Sequence, residues 1–348
     1  MRAVAIVLVV IWHFAHLSIL PFGTVHPVIL GFLTEGHNGV ALFMVLSGYL
    51  YGKILIGRTL DLGRFIVSRL LRLMPLLALV SVLTVVINGM DASVTTYILS
   101  FLSGFVLPSW PNGGWSIAIE FQFYVLLPLL LALHRRNVFY LPVLVLALVA
   151  FRAGYWVVFG EVQFVAHKTL VGRLDQFLAG IVAATLPFRP RLDRRLMLIC
   201  VPVFVGMYAL LNGMGGFRNT ERSALWIIFP TIDAVCFAIF IRYYDGRPEP
   251  IGKPHRVLPK FIATAGACSY SMYLLHPFFM DPAGRWMASV AGESSNIFVA
   301  TILSLIVFLV LFPVCWLSYR LIERPPLMLR PQYDRDTQIT ANDRLGLH

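Results

Sequence analysis

Apolar residues along this chain come in runs of about 18 or more, the length an α-helix needs to cross roughly 30 Å of hydrocarbon. Ten runs answer that description, at 3–20, 37–56, 65–87, 114–133, 138–158, 169–186, 195–212, 223–242, 261–280 and 296–319. The apolar piece 94–107 is too short to span and is expected to be re-entrant or interfacial. The strand-period alternation of a membrane barrel is absent, as is the internal repeat that many transporters carry. The pattern predicts an all-α, polytopic transmembrane bundle of about ten spanning helices. Arg2 precedes the first run as in a signal peptide, but Trp12, His13, Phe14 and His16 interrupt the run and no small-residue cleavage site follows. It is therefore read as a first transmembrane helix. From about Pro331 the chain turns polar, so a membrane domain over 1–326 and a disordered cytoplasmic tail over 327–348 are expected.

Composition strengthens this reading. Hydrophobic residues make up 58% of the 348 positions and charged ones 13%, against roughly a quarter charged in a soluble domain, so a water-soluble fold could not hide its apolar surface. The net charge of +11 does not point to nucleic acid, because the basic residues punctuate the ends of apolar runs instead of forming one patch. Twenty-two of the 28 Lys and Arg residues fall on one set of ends, which places both termini in the cytoplasm. Cys200, Cys236, Cys268 and Cys315 each lie in a different apolar run, with the spacing of neither a disulfide framework nor a zinc motif.

Polar side chains inside spans carry the functional signal, since a charge in the bilayer core costs about 2.5–3.5 kcal/mol on insertion scales. His13 lies eleven residues beyond Arg2, roughly 16 Å deeper at 1.5 Å per residue, near the bilayer midplane. A neutral imidazole there can take a proton from an attacking hydroxyl, as acyl transfer to an alcohol requires. The alternatives are a structural, hydrogen-bonded histidine, or a metal site shared with His16, for which no third ligand is evident at helical spacing. Glu120, Arg173, Asp175 and His276 fall in the outer half of other spans, where one cavity could hold them all or opposite charges could simply neutralise each other. Arg69 and Arg72 are neighbours on a helix face at a cytoplasmic entry. Two guanidinium forks there suit a phosphorylated ligand such as the nucleotide of coenzyme A, or else serve as stop-transfer charge.

These residues carry a resemblance to the acyltransferase-3 family of membrane acyltransferases. Arg2, ten residues and then His13 look like that family's first-helix motif, and Arg69-Leu70-Leu71-Arg72 like its cytoplasmic arginine pair. Val45-Leu46-Ser47-Gly48-Tyr49-Leu50 is similar to the second-helix signature, and Trp115-Ser116 through Glu120 to Phe123-Tyr124 and Pro128 to the tryptophan-serine-glutamate block. Arg173-Leu174-Asp175 with Gly180, Ser269-Tyr270-Ser271 through Tyr273 to His276-Pro277, and Ile322-Glu323-Arg324-Pro325 resemble the later blocks. Members usually have a few residues ahead of the first arginine, so the first helix is expected to be incompletely represented here. They also often show an acidic residue near the second-helix block where this chain has Ala41, which leaves the roles of Glu35 and His37 open.

The resemblance implies transfer of an acyl group, commonly acetyl, from acyl-coenzyme A to a hydroxyl of a carbohydrate or glycosylated acceptor. It also implies a multi-pass protein of the bacterial inner membrane. In that picture His13 is the catalytic base, with Glu120 also catalytic, and Arg2, Arg69 and Arg72 hold the donor. Arg173, Asp175, His276, Tyr273 and His37 line the acceptor side. Acyl-coenzyme A is a co-substrate, and neither a bound cofactor nor a metal is expected. Two other readings remain: a covalent acyl-His13 intermediate, and a transporter of a small glycoside or polysaccharide precursor with no acyl transfer.

Overall fold

A computed structural model describes residues 1–20, 31–87, 94–107, 109–247, 257–292 and 296–333. The first half carries α1 (Arg2–Ser18), α2 (Gly31–Thr34), α3 (Asn38–Leu55), α4 (Leu62–Ile87), α5 (Val94–Ser103), α6 (Trp115–Arg136), α7 (Tyr140–Phe159) and α8 (Gln163–Lys168). There follow α9 (Leu170–Thr185), α10 (Pro190–Gly213), α11 (Phe229–Asp245), α12 (Val257–Ala267), α13 (Ser269–Leu275), α14 (Met280–Ala291), α15 (Ile297–Ser318) and α16 (Arg324–Met328). No strand occurs among the described residues. Residues 334–348, most of the expected tail, lie outside them.

Among the described residues, six stretches are long and apolar enough to cross a bilayer: α3, α4, α6, α7, α10, and the continuous run Ile297–Met328. The ten-crossing expectation goes beyond these six. The extra segments are shorter or broken, and the apolar run 261–280 is divided into α12, α13 and a 3-10 turn, His276–Phe279. Leu146, Val157, Leu309 and Val310 turn outward, as lipid-facing side chains do. Pro75, Pro128, Pro202 and Pro313 sit inside helices, which membrane helices tolerate because neighbours re-satisfy the freed carbonyls. The start of α9 is fixed by Thr169, whose hydroxyl accepts from the Gly172 amide at 3.1 Å, and that of α15 by Asn296 accepting from Val299 at 2.9 Å.

The bundle has a basic end. There the Arg135 guanidinium donates to the Leu55 carbonyl at 2.9 Å, Lys53 pairs with Asp245 at 2.7 Å, and Arg242 pairs with Asp193 at 2.6 Å. These contacts, with Arg242 also donating to the Ala183 carbonyl at 3.0 Å, gather the ends of α3, α6, α9 and α11 with the start of α10. At the bundle's centre α3 and α9 cross backbone to backbone. A Cβ on Gly48 would strike the Phe177 carbonyl, and one on Gly180 the Val45 carbonyl, so small residues set this interface.

Candidate active site

On α1, the His13 Nδ1–H donates to the Val9 carbonyl at 2.8 Å. A carbonyl only accepts, so Nδ1 carries the proton and Nε2 presents a lone pair. The ring is partly exposed, edge-on to Trp12 at 4.6 Å and to His276 at 4.8 Å between centroids. His276 repeats the device, its Nδ1–H donating to Met272 at 3.0 Å, and its buried Nε2 has no partner. Two imidazoles thus meet with acceptor nitrogens and no protein donor satisfying His276. A buried orphan acceptor of this kind calls for a water or a substrate donor.

Toward the basic end lies a narrow cavity of about 70 Å³ whose polar lining is Arg2, Ser47, Arg72, Ser116, Glu120 and Tyr273, with Ser269 and Tyr270 beside them. Glu120 accepts from Ser47 at 2.9 Å and from the Tyr124 hydroxyl. Tyr273 links the cavity to the imidazole pair, since its ring lies 6.2 Å from His276. Its hydroxyl donates to the Gly113 carbonyl at 2.9 Å and accepts from Ser116 at 2.8 Å. The loop that allows this turns through Asn112 (φ 53°) and Gly113 (φ 78°), and Asn112 donates to the Leu274 carbonyl at 3.1 Å. The tryptophan-serine block and the tyrosine-histidine block are therefore one docked unit.

Beyond Trp12 is a cluster of rings and buried polar groups. Arg173 donates to the His167 carbonyl at 2.9 Å and reaches the His167 Nδ1, with its guanidinium 6.0 Å from the Trp115 ring. Burial, and after it the Arg173 charge, hold His167 well below the ordinary imidazole pKa. His37 lies 5.7 Å from His167, 4.7 Å from Phe217 and 6.1 Å from Trp12, with Glu35 at 3.3 Å.

Of the expected site residues, the structure brings His13, His276 and Tyr273 together, joins Arg2, Arg72 and Glu120 along the cavity, and groups Arg173 with His37. Three placements differ from expectation. Glu120, expected in one outer cavity with Arg173, Asp175 and His276, lines the cavity of Arg2 and Arg72 and bonds Ser47 and Tyr124. Arg69 turns into the wall, donating to Tyr51 and to Ser68 at 2.9 Å beneath the Phe65 and Tyr333 rings, because three helical steps leave it about 60° round from Arg72. Asp175 leaves the acceptor side: fully buried, it pairs with Arg152 at 2.8 Å and accepts from Thr231 at 2.5 Å. Arg152 and His167 were not singled out from the sequence, although a lone arginine midway along an apolar run is itself a signal.

Residues 1–320 match the family described as Acyltransferase domain. Over 382 aligned positions, covering 99% of this chain and 85% of the relative, the chain is 28% identical to a Komagataeibacter xylinus protein named "Putative membrane-bound transacylase BcsY". No solved structure matches it. A family match over nearly the whole length, on a helical bundle with bilayer-length apolar helices and a polar core, leads to one conclusion: the chain belongs to the acyltransferase-3 family and is an integral membrane acyltransferase that transfers groups other than aminoacyl groups.

Proposed function

We propose that the protein moves an acyl group, acetyl in the simplest case, from acyl-coenzyme A to a hydroxyl of a carbohydrate or glycosylated acceptor, with His13 as the base. The observation that carries this reading is the Nδ1–H bond to Val9, which leaves the His13 Nε2 lone pair open on a partly exposed ring. The donor's phosphates sit at the basic end near Arg2 and Arg72, and the pantetheine arm runs along the cavity past Glu120 toward Tyr273. The acceptor hydroxyl approaches from the side of the cluster formed by Trp12, His37 and Arg173. His13 Nε2 removes its proton as the oxygen attacks the thioester carbonyl carbon. The tetrahedral intermediate then collapses, the C–S bond breaks, and the proton passes to the leaving sulfur to give the free thiol. The Arg69 side chain holds Tyr51 behind the donor passage rather than touching the donor.

Membranes carrying the protein, supplied with radiolabelled acetyl-coenzyme A, should yield a labelled surface glycan. His13→Ala should lower the rate by about 10²–10⁴-fold, the usual worth of a general base, with the protein still folded in the membrane. Full activity in a folded His13→Ala protein rejects the assignment. Label appearing on the protein itself in the absence of acceptor replaces direct transfer with a covalent intermediate.

A further inference from the structure

A second recess lies away from the cavity that holds Arg2 and Arg72. It measures about 680 Å³, inside the roughly 300–1,000 Å³ typical of ligand sites. Helix α7 packs on α9 and α10 packs on α11, which leaves a gap between α7 and α10 floored by α9. Val145 and Leu146, Ala179 and Val182, and Leu192 and Leu196 furnish an apolar lining from α7, α9 and α10. The recess runs from Leu186 to Asp175 along α9, eleven residues or about 16 Å, which matches one leaflet of a hydrocarbon core about 30 Å thick. Its deep end is closed by Asp175 and Thr231.

The mouth is charged, at the level of the basic end. Arg242 is used up internally, pairing with Asp193 at 2.6 Å and donating to the carbonyls of Ala183 at 3.0 Å and Leu186 at 2.8 Å. That pair cancels the one carboxylate at the rim. Arg189, also lining the recess, extends to the surface, and Arg191, Arg194 and Arg195 are exposed beside it. An apolar slot one leaflet deep beneath exposed guanidinium groups has the chemistry of a single lipid with a negatively charged headgroup.

We propose that this recess binds one anionic phospholipid of the leaflet at the basic end, one acyl chain lying along α9 between α7 and α10 and the phosphate at Arg189. The lipid fills the space between two helices that do not otherwise brace each other, so it stabilises the fold. This site is independent of the reading of His13.

Full-length protein in detergent, titrated with dioleoylphosphatidylglycerol or dioleoylphosphatidylcholine, tests the assignment through bound phosphorus after gel filtration and through thermal unfolding. Phosphatidylglycerol should remain at about one molecule per chain and raise Tm by several degrees, as any ligand of the native state does, with phosphatidylcholine much weaker. Arg189→Glu, an exposed change that leaves packing intact, should weaken phosphatidylglycerol at least tenfold without moving the lipid-free Tm. Ala179→Phe should fill the slot and abolish retention, and if that variant does not fold, Arg189→Glu decides alone. Equal protection by both lipids with Arg189→Glu silent reduces the recess to ordinary bilayer contact and overturns the proposal. Displacement of phosphatidylglycerol by palmitoyl-coenzyme A but not by acetyl-coenzyme A assigns the slot to a donor chain and equally overturns it.

Discussion

Arg69 and Arg72 stand three positions apart on α4, yet they face different tasks, and their substitutions should separate accordingly. Arg72→Ala should raise the KM for acyl-coenzyme A by tenfold or more while leaving Tm nearly unchanged, because Arg72 lines the cavity. Arg69→Ala should lower stability by about 1–3 kcal/mol, since it removes the charged donor to the buried Tyr51 hydroxyl and a guanidinium packed against two rings. Parallel KM measurements and thermal unfolding of the two variants check both outcomes. His167 gives a pH prediction. Its folded pKa lies well below its unfolded value near 6.5, so the unfolded chain binds more protons as the medium acidifies. Its contribution is therefore fully present above about pH 6.5 and is lost as pH falls below that value. Thermal unfolding from pH 7.5 to 5 should show this loss, and His167→Gln should reduce its slope. At this scale the sequence was informative where order along a helix decides, as in the placing of Arg2 and His13 at different levels of α1. It was uninformative where rotation about a helix axis decides, because one residue of phase turns Arg69 or Asp175 from cavity to wall.

Elements were legible where one apolar run makes one helix, as in α3, α4, α6 and α7, whose bounds fall within a few residues of the runs. The division of 261–280 was harder to see. Hydropathy continues through Cys268 and His276, while the backbone breaks there to bring the Tyr273 hydroxyl onto Gly113 and turn His276 toward His13. The pairing of α7 with α9 was also hidden, since it rests on Arg152, which donates to Asp175 and to the Gly172 carbonyl, both at 2.8 Å. Removing one member of such a buried pair costs about 3–5 kcal/mol, so Arg152→Ala should lose most of its folded protein. Arg152→Met with Asp175→Leu should recover much of that loss, which yield and thermal unfolding in detergent would show. At the α3–α9 crossing, Gly48→Leu forces the two backbones apart and should cost at least the 1–3 kcal/mol typical of overpacking.

For the molecule as a whole, the arginine count sets an orientation that reporter fusions can check. Alkaline phosphatase joined after Gly160 should be active outside the cytoplasm, and joined after Arg136 it should be inactive; the reverse pattern inverts the topology. In that orientation the proposed function has donor and acceptor entering from opposite faces and meeting at the level of His13. The crossing of Gly48 over Gly180 has a mechanical consequence for that meeting. With glycines at the crossing, α3 and α9 pack as one close pair, and on the proposed function it carries Ser47 toward the donor and Arg173 toward the acceptor. Widening the passage for a pantetheine arm then falls to the opposite wall, where the Ser116–Tyr273, Tyr273–Gly113 and Asn112–Leu274 hydrogen bonds must part. Opening would be governed by a latch of three hydrogen bonds, hung on a close-packed pair of helices.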